Sequence, residues 1–131
     1  MTAKLPPGIS TKLAASCFLQ GITALTNVLE AHTVEKGQCI LEHAAAGGVG
    51  SLINQLCHSF GAVVIGTTST EAQAKFAYAH GADHVILYGS KPMDDVVKEI
   101  KALTPMGEGV HAVYDGVGKD TFEADFDLVR R

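Results

Sequence analysis

The residues Ala44-Ala45-Ala46-Gly47-Gly48-Val49-Gly50 separate the apolar run Ile40-Leu41 from a helix-period pattern of Leu52, Ile53, Leu56, Cys57 and Phe60. A strand, a tight turn of small residues and a helix N-terminus, in that order, make a place where an anion can touch the backbone. The first N–H groups of such a helix are unpaired, its dipole is positive at that end, and no side chain blocks the approach. Aligned on the spacing G-x-G-x-x-G, the three positions are Ala45, Gly47 and Gly50. Alanine is tolerated at the first where φ stays negative. The chemistry this spacing serves is the binding of a dinucleotide pyrophosphate. An ordinary glycine-rich strand-to-helix turn has the same residues, so the surroundings must decide between the two.

About 20 residues past the glycines, an NAD site carries Asp or Glu on the ribose 2′-OH. Here the chain has Thr67-Thr68-Ser69-Thr70, and the first acid is Glu71. A carboxylate repels a 2′-phosphate, whereas hydroxyls and free N–H groups donate to it, so the cluster favours NADPH. Capping of the next helix by Ser69 or Thr70 explains the same residues, and the two roles can coexist.

The other reactive side chains point to no further chemistry. Cys17, Cys39 and Cys57 are odd in number and form no CxxC pair, as expected of free thiols in a reducing compartment such as the cytoplasm. His80 and His84 are four apart, but Gly81 between them reads as a helix stop, so no metal site is expected. His43 reads as a structural histidine at the end of the first strand, with a place near a ligand as the alternative. Tyr78, Tyr88 and Tyr114 are followed four residues later by Ala82, Pro92 and Gly118; none has the lysine of a short-chain dehydrogenase. There is no Walker A sequence and no residue is assigned a catalytic role.

Strands and helices alternate around these residues. Phe18, Ile22, Leu25 and Leu29 give an amphipathic helix over 15–31, mildly broken at Gly21. Strands follow at 39–44, 62–67, 85–87 and 109–115. Helices are expected from Gly48 to near Ser59, over 71–80, over 94–103 and over 122–129, with Gly61 and Gly81 closing the first two. Such βαβ units with right-handed crossovers predict a Rossmann-type α/β fold, a doubly wound parallel sheet in the order 3-2-1-4. With four strands it is an incomplete sheet, so a piece of a larger protein is expected. Residues 1–14 read as a lead-in and 15–131 as the dinucleotide-binding domain. The fourth strand would be an apolar edge, which favours association, for instance as a homodimer.

At 131 residues with 47% hydrophobic and 18% charged residues, the chain suits one globular domain with a buried sheet. A net charge of −4 and no basic run give no reason to expect nucleic acid as a partner. No apolar stretch reaches the roughly 20 residues that span a bilayer.

The segment Leu19-Gln20-Gly21-Ile22-Thr23-Ala24, the glycine turn, Gly66-Thr67, Gly81-Ala82-Asp83 and Val113-Tyr114-Asp115-Gly116-Val117-Gly118 resemble the NADPH:quinone oxidoreductases. These are the zinc-free, zeta-crystallin-like branch of the medium-chain dehydrogenase/reductase superfamily. The resemblance runs over nearly the whole chain and covers only the middle of such an enzyme. It lacks the catalytic GroES-like domain and the last strands. It implies that Ala46, Gly47, Gly48, Val49 and Gly50 hold the pyrophosphate of NADP(H) and that Thr23 lies near the nicotinamide. It also implies that Thr68, Ser69 and Tyr88 surround the 2′-phosphate, and that Gly116, Val117 and Gly118 border the cofactor. One departure is Gln73, where the family often has lysine. The implied activity of the parent enzyme is metal-free hydride transfer from NADPH to a quinone, with this chain alone inactive. The alternatives are an enoyl or alkenal double-bond reductase of the same superfamily and a non-catalytic nucleotide-binding or interaction module.

Overall fold

The computed structural model describes residues 4–89 and 91–130. Residues 1–3 of the expected lead-in, Ser90 and Arg131 lie outside the described residues. The elements in order are α1 (Thr11–Thr26), β1 (Cys39–Glu42), α2 (Gly48–Ser59), β2 (Val63–Thr68), α3 (Glu71–Ala79), β3 (His84–Leu87), α4 (Met93–Ala102), β4 (Ala112–Tyr114) and α5 (Phe122–Leu128). A π-helical turn at Asn27–Ala31 extends α1, and a 3₁₀ turn at Pro105–Gly107 follows α4.

The sheet is parallel throughout, in the order β3-β2-β1-β4, as the spacing predicts. Alternation along the strands divides the core. Ile40, Val64 and Tyr114 face one side, with Ala24, Val28, Ile53, Cys57 and Ala77 from α1 to α3. Leu41, Ile65 and Ile86 face the other, with Val96 and Ile100 of α4 and Leu128 of α5. Both faces are covered, which is why β1 is an unbroken buried run rather than an alternating one. Gly61 and Gly81 take φ +81° and +97° just past α2 and α3, left-handed turns that send the chain back into the sheet.

Three expectations are corrected. α1 begins at Thr11 on a Ser10 cap and runs through Gly21 without a break, because it is a full helix with open space at that glycine. Its inward residues are Ala24 and, in the π turn, Val28, whereas Phe18, Ile22, Leu25 and Leu29 are exposed. α1 packs on α2 through small residues, and the larger stripe faces away. The fourth strand is shorter than 109–115: Val110 bridges Val129 instead, and the paired strand begins at Ala112.

The phenol of Tyr114 donates to the carbonyls of Asn27 (3.1 Å) and His32 (3.3 Å), tying the π turn to β4. Ile53 is fully buried between α2 and the sheet. Replacing Ile53 with Ala is expected to cost about 2–5 kcal/mol, read as a lower urea midpoint at unchanged slope.

Candidate functional site

The site starts where β1 stops. Ala44 takes φ +59°, a left-handed conformation that costs alanine about 1 kcal/mol and ends the strand at Glu42 rather than at 44. The unusual backbone thus falls on Ala44, and Ala45 has no positive φ. Two hydrogen bonds hold the next residue: the Ala45 N–H donates to the Thr67 carbonyl (3.1 Å), and the Asn54 amide donates to the Ala45 carbonyl (2.9 Å). Gly47 then donates back to the Ala44 carbonyl (2.8 Å), and its own carbonyl accepts the first helical bond from Ser51 (2.9 Å). Gly47 is an N-cap without a side chain. Among the described residues, the N–H groups of Gly48, Val49 and Gly50 meet no carbonyl or side-chain acceptor. They form the free, positive end of a twelve-residue helix.

Gly50 serves the fold as well as any ligand. A Cβ there would lie 2.6 Å from the Ala44 carbonyl oxygen and 2.8 Å from Oε1 of Glu42. Leucine at position 50 would therefore disturb the turn itself and is no clean probe of binding. At Gly48 the obstacle is the flexible end of the exposed Gln20 side chain.

Two cavities meet at this turn, and Ala44 and Gly47 line both. The larger, of about 770 Å³, opens between α1 and the ends of β1 and β4; Thr23, Val49, Gly50 and Gly116 lie in its wall. The smaller, of about 160 Å³, is lined by Ala46, Thr68, Ser69, Gln73 and Tyr88. The residues expected around a cofactor therefore fall into two groups on either side of the glycine turn. Thr23 is exposed and donates to the Leu19 carbonyl (2.8 Å). Val117 and Gly118 line neither cavity; their N–H groups donate to Oδ1 of Asp115 at 2.7 and 2.9 Å.

At the smaller cavity, Thr70 is the cap of α3. Its hydroxyl accepts from the Gln73 N–H (3.2 Å), while Oε1 of Gln73 accepts from the N–H groups of Ser69 and Thr70 and from the Ser69 hydroxyl (2.8 Å). Gln73 thus completes a capping box. The Thr-x-x-Gln spacing is the sequence signal for it.

The charged groups were less legible. Glu42 is 4% exposed, and its Oε2 is buried without a hydrogen-bond partner among the described residues. Burial pushes its carboxyl well above the usual value, and the neighbouring Asp115 adds to the rise. The only sequence signal was an acid inside an apolar strand. Burial alone would raise Asp115 too, but the Gly118 N–H, the Thr121 hydroxyl and the Val117 N–H outweigh it and hold this carboxylate below its usual range. Burial lifts the Cys57 thiol to about 12, with Glu42 contributing. On the opposite face of the sheet, His43 is buried between the Thr67 hydroxyl (2.8 Å) and Asp125 (3.0 Å). That is a structural bridge from the end of β1 to β2 and α5, although His43 also lines the larger cavity.

Residues 48–131 match the family described as zinc-binding dehydrogenase. The chain belongs to the zinc-binding dehydrogenase family. Among the described residues, no group of three or more His, Cys, Asp or Glu side chains could hold a metal ion. The domain is 40% identical over 129 residues to a quinone oxidoreductase of Salmonella typhimurium, covering 98% of this chain and 38% of that protein. It is 40% identical over 116 residues to a 2-haloacrylate reductase of a Burkholderia species, covering 88% of this chain and 34% of that one. The crystal structure of Escherichia coli quinone oxidoreductase complexed with NADPH superimposes with a TM-score of 0.88 at 38% identity, covering 98% of this chain and 38% of that one. The chain thus spans a little over a third of the length of these relatives.

The raised Glu42 carboxyl has a thermodynamic consequence. Below its ordinary value of 4.5, folded and unfolded chains are both protonated there, so Glu42 adds no pH dependence. Above 4.5 the unfolded chain ionises first, and folding loses up to about 1.4 kcal/mol per pH unit until the folded group ionises as well. Glu42→Gln is expected to be more stable than the unmodified chain at pH 7, the difference vanishing below about pH 4.5 in urea titrations.

Proposed function

We propose that this chain is the NADP(H)-binding portion of a reductase that passes hydride from NADPH to a quinone. The observation that carries the reading is the free N-terminus of α2 standing between two cavities, one on each side of Gly47. A dinucleotide has the same plan: a pyrophosphate joining two nucleosides. In this reading Ala46, Gly47, Gly48, Val49 and Gly50 receive the pyrophosphate. Thr23 and Gly116 face the nicotinamide half, with Val117 and Gly118 in the loop beyond. Thr68, Ser69 and Tyr88 surround the adenosine ribose and its 2′-phosphate. The residues present fit this group, because bare glycine backbone, unpaired N–H donors and hydroxyls coincide where an anionic ligand needs them.

When bound, the cofactor supplies the hydride chemistry. This chain supplies placement. The α2 dipole and three N–H groups hold the pyrophosphate, and the Asp115-anchored loop shapes the rim of the larger cavity. Holding a donor and an acceptor in reacting geometry is worth on the order of 7–11 kcal/mol, without any proton-transferring group in this chain.

The likeness to a 2-haloacrylate reductase supports a second reading, the same hydride donor with an activated carbon–carbon double bond as acceptor. A purely nucleotide-binding module is the third. Assaying the full-length parent with NADPH against a simple quinone and against an α,β-unsaturated acid separates the three readings. Turnover of the quinone alone supports the first, of the acid alone the second, and of neither the third. No helix among the described residues is long and apolar enough to cross a membrane. The same reading places the protein in the cytoplasm and allows a homodimer.

Gly48→Asp tests the pyrophosphate assignment. An acid in the first turn suits the helix dipole and leaves the fold intact once the Gln20 side chain swings aside. It sets a negative charge where the phosphates arrive. Relative to the neutral Gly48→Asn, NADPH affinity is expected to fall about thirtyfold, about 2 kcal/mol for a unit charge at roughly 8 Å. Calorimetric titration measures the loss; equal affinities for the two variants would refute the assignment.

A further inference from the structure

Glu42 is an unexplained residue. It ends β1 on the face that packs against α2, where its register partner on β4 is Tyr114. Its Oε2 is sealed from solvent and meets no hydrogen-bond donor among the described residues. A Cβ on Gly50, the third residue of α2, would lie 2.8 Å from Oε1, so the carboxyl faces the first turn of that helix. The same residue forms part of the wall of the larger cavity. An apolar side chain would fill this space without the cost of burying an acid.

The charged and titratable groups around Glu42 sharpen the point. Asp115, just beyond β4, is an anchored carboxylate in the same cavity wall. Tyr114 on β4 and Cys57 on α2 are buried and held neutral. His43 turns to the other face and is engaged by Thr67 and Asp125. His32, at the cavity edge on the α1 side, meets Gln38. No lysine or arginine lines the cavity among the described residues. A negative charge on Glu42 would therefore meet no cationic side chain, would stand beside one fixed carboxylate, and would compete with a pyrophosphate for the positive end of α2.

We propose that Glu42 is a further determinant of nucleotide binding: the site accepts a dinucleotide pyrophosphate with Glu42 as the neutral acid, and ionisation of Glu42 expels it. This rests on the nucleotide-binding reading above. Glu42 acts through the helix terminus and its field; it is a positioning residue and not a catalytic one. The linked proton comes from solvent and stays on the Glu42 carboxyl. Where the free protein is ionised at Glu42, binding takes up that proton, so affinity falls as pH rises.

The test is calorimetric titration of the 131-residue chain with NADPH from about pH 6 to pH 9, in two buffers of different ionisation heat, for the unmodified protein and for Glu42→Gln. The 2′-phosphate's own titration is common to both proteins and cancels in the comparison. The expected result is an affinity loss of about tenfold or more with rising pH in the unmodified chain, with buffer-dependent heat reporting proton uptake. Glu42→Gln should lack that loss, keeping only the pH dependence that the 2′-phosphate brings to both proteins, and take up no proton at this site. Equal pH slopes in the two proteins, or no proton uptake by the unmodified chain, would overturn the inference while leaving the nucleotide site standing. Absence of NADPH binding to either protein at every pH would overturn the nucleotide reading, and this inference with it. If Glu42→Gln folds poorly, Glu42→Leu serves the same comparison, since it too removes the titrating group and fills the space with an apolar side chain.

Discussion

The close approach of the first turn of α2 to the end of β1 is the contact on which the rest of the structure depends. Gly50 lies so near the Ala44 carbonyl and the Glu42 carboxyl that no side chain fits between them. The approach is possible because Ala44 turns through a left-handed conformation and Ala45 tucks inward against Gly66, where a Cβ would lie 2.6 Å from its own. Asn54 then locks the turn from the helix side through the Ala45 carbonyl. Bare backbone at 47 and 50 is thus first a packing requirement. The anion-binding end of α2 is what that packing leaves exposed.

Two kinds of polar group surround this contact, and they behave differently. Asp115 is paid for in hydrogen bonds: two N–H groups and a hydroxyl hold it as a carboxylate and shape the loop after β4. Glu42 has none among the described residues, and burial raises its carboxyl well above the usual value. Both groups lie in the wall of one cavity, where a single additional negative charge has large consequences in a medium less polarisable than water.

The outer surface carries a different tension. α1 buries Ala24 against α2 and leaves Phe18, Leu19, Ile22, Leu25 and Leu29 exposed. An apolar stripe of this extent is unusual on a free surface. The stripe has a helix period because a helix can serve two faces, one of small residues for close packing and one of large residues turned outward.

Much of this was legible in the sequence. Hydrophobic runs, helix periods and glycine stops predicted four parallel strands in the order observed, because strand crossovers have one hand and each element must bury a face. The glycine turn was legible because few other residues can make it. The sequence could not say which face of α1 turns inward, since periodicity identifies a stripe and not its neighbour. Nor could it reveal that Gln73 caps α3 with its oxygen, that Val117 and Gly118 give their N–H groups to Asp115, or that Glu42 lies unpaired beneath Gly50. Those facts depend on residues far apart in the chain coming within a few ångströms. The state of a carboxyl is decided by the donors and charges that surround it in three dimensions, and only the packed structure assembles them.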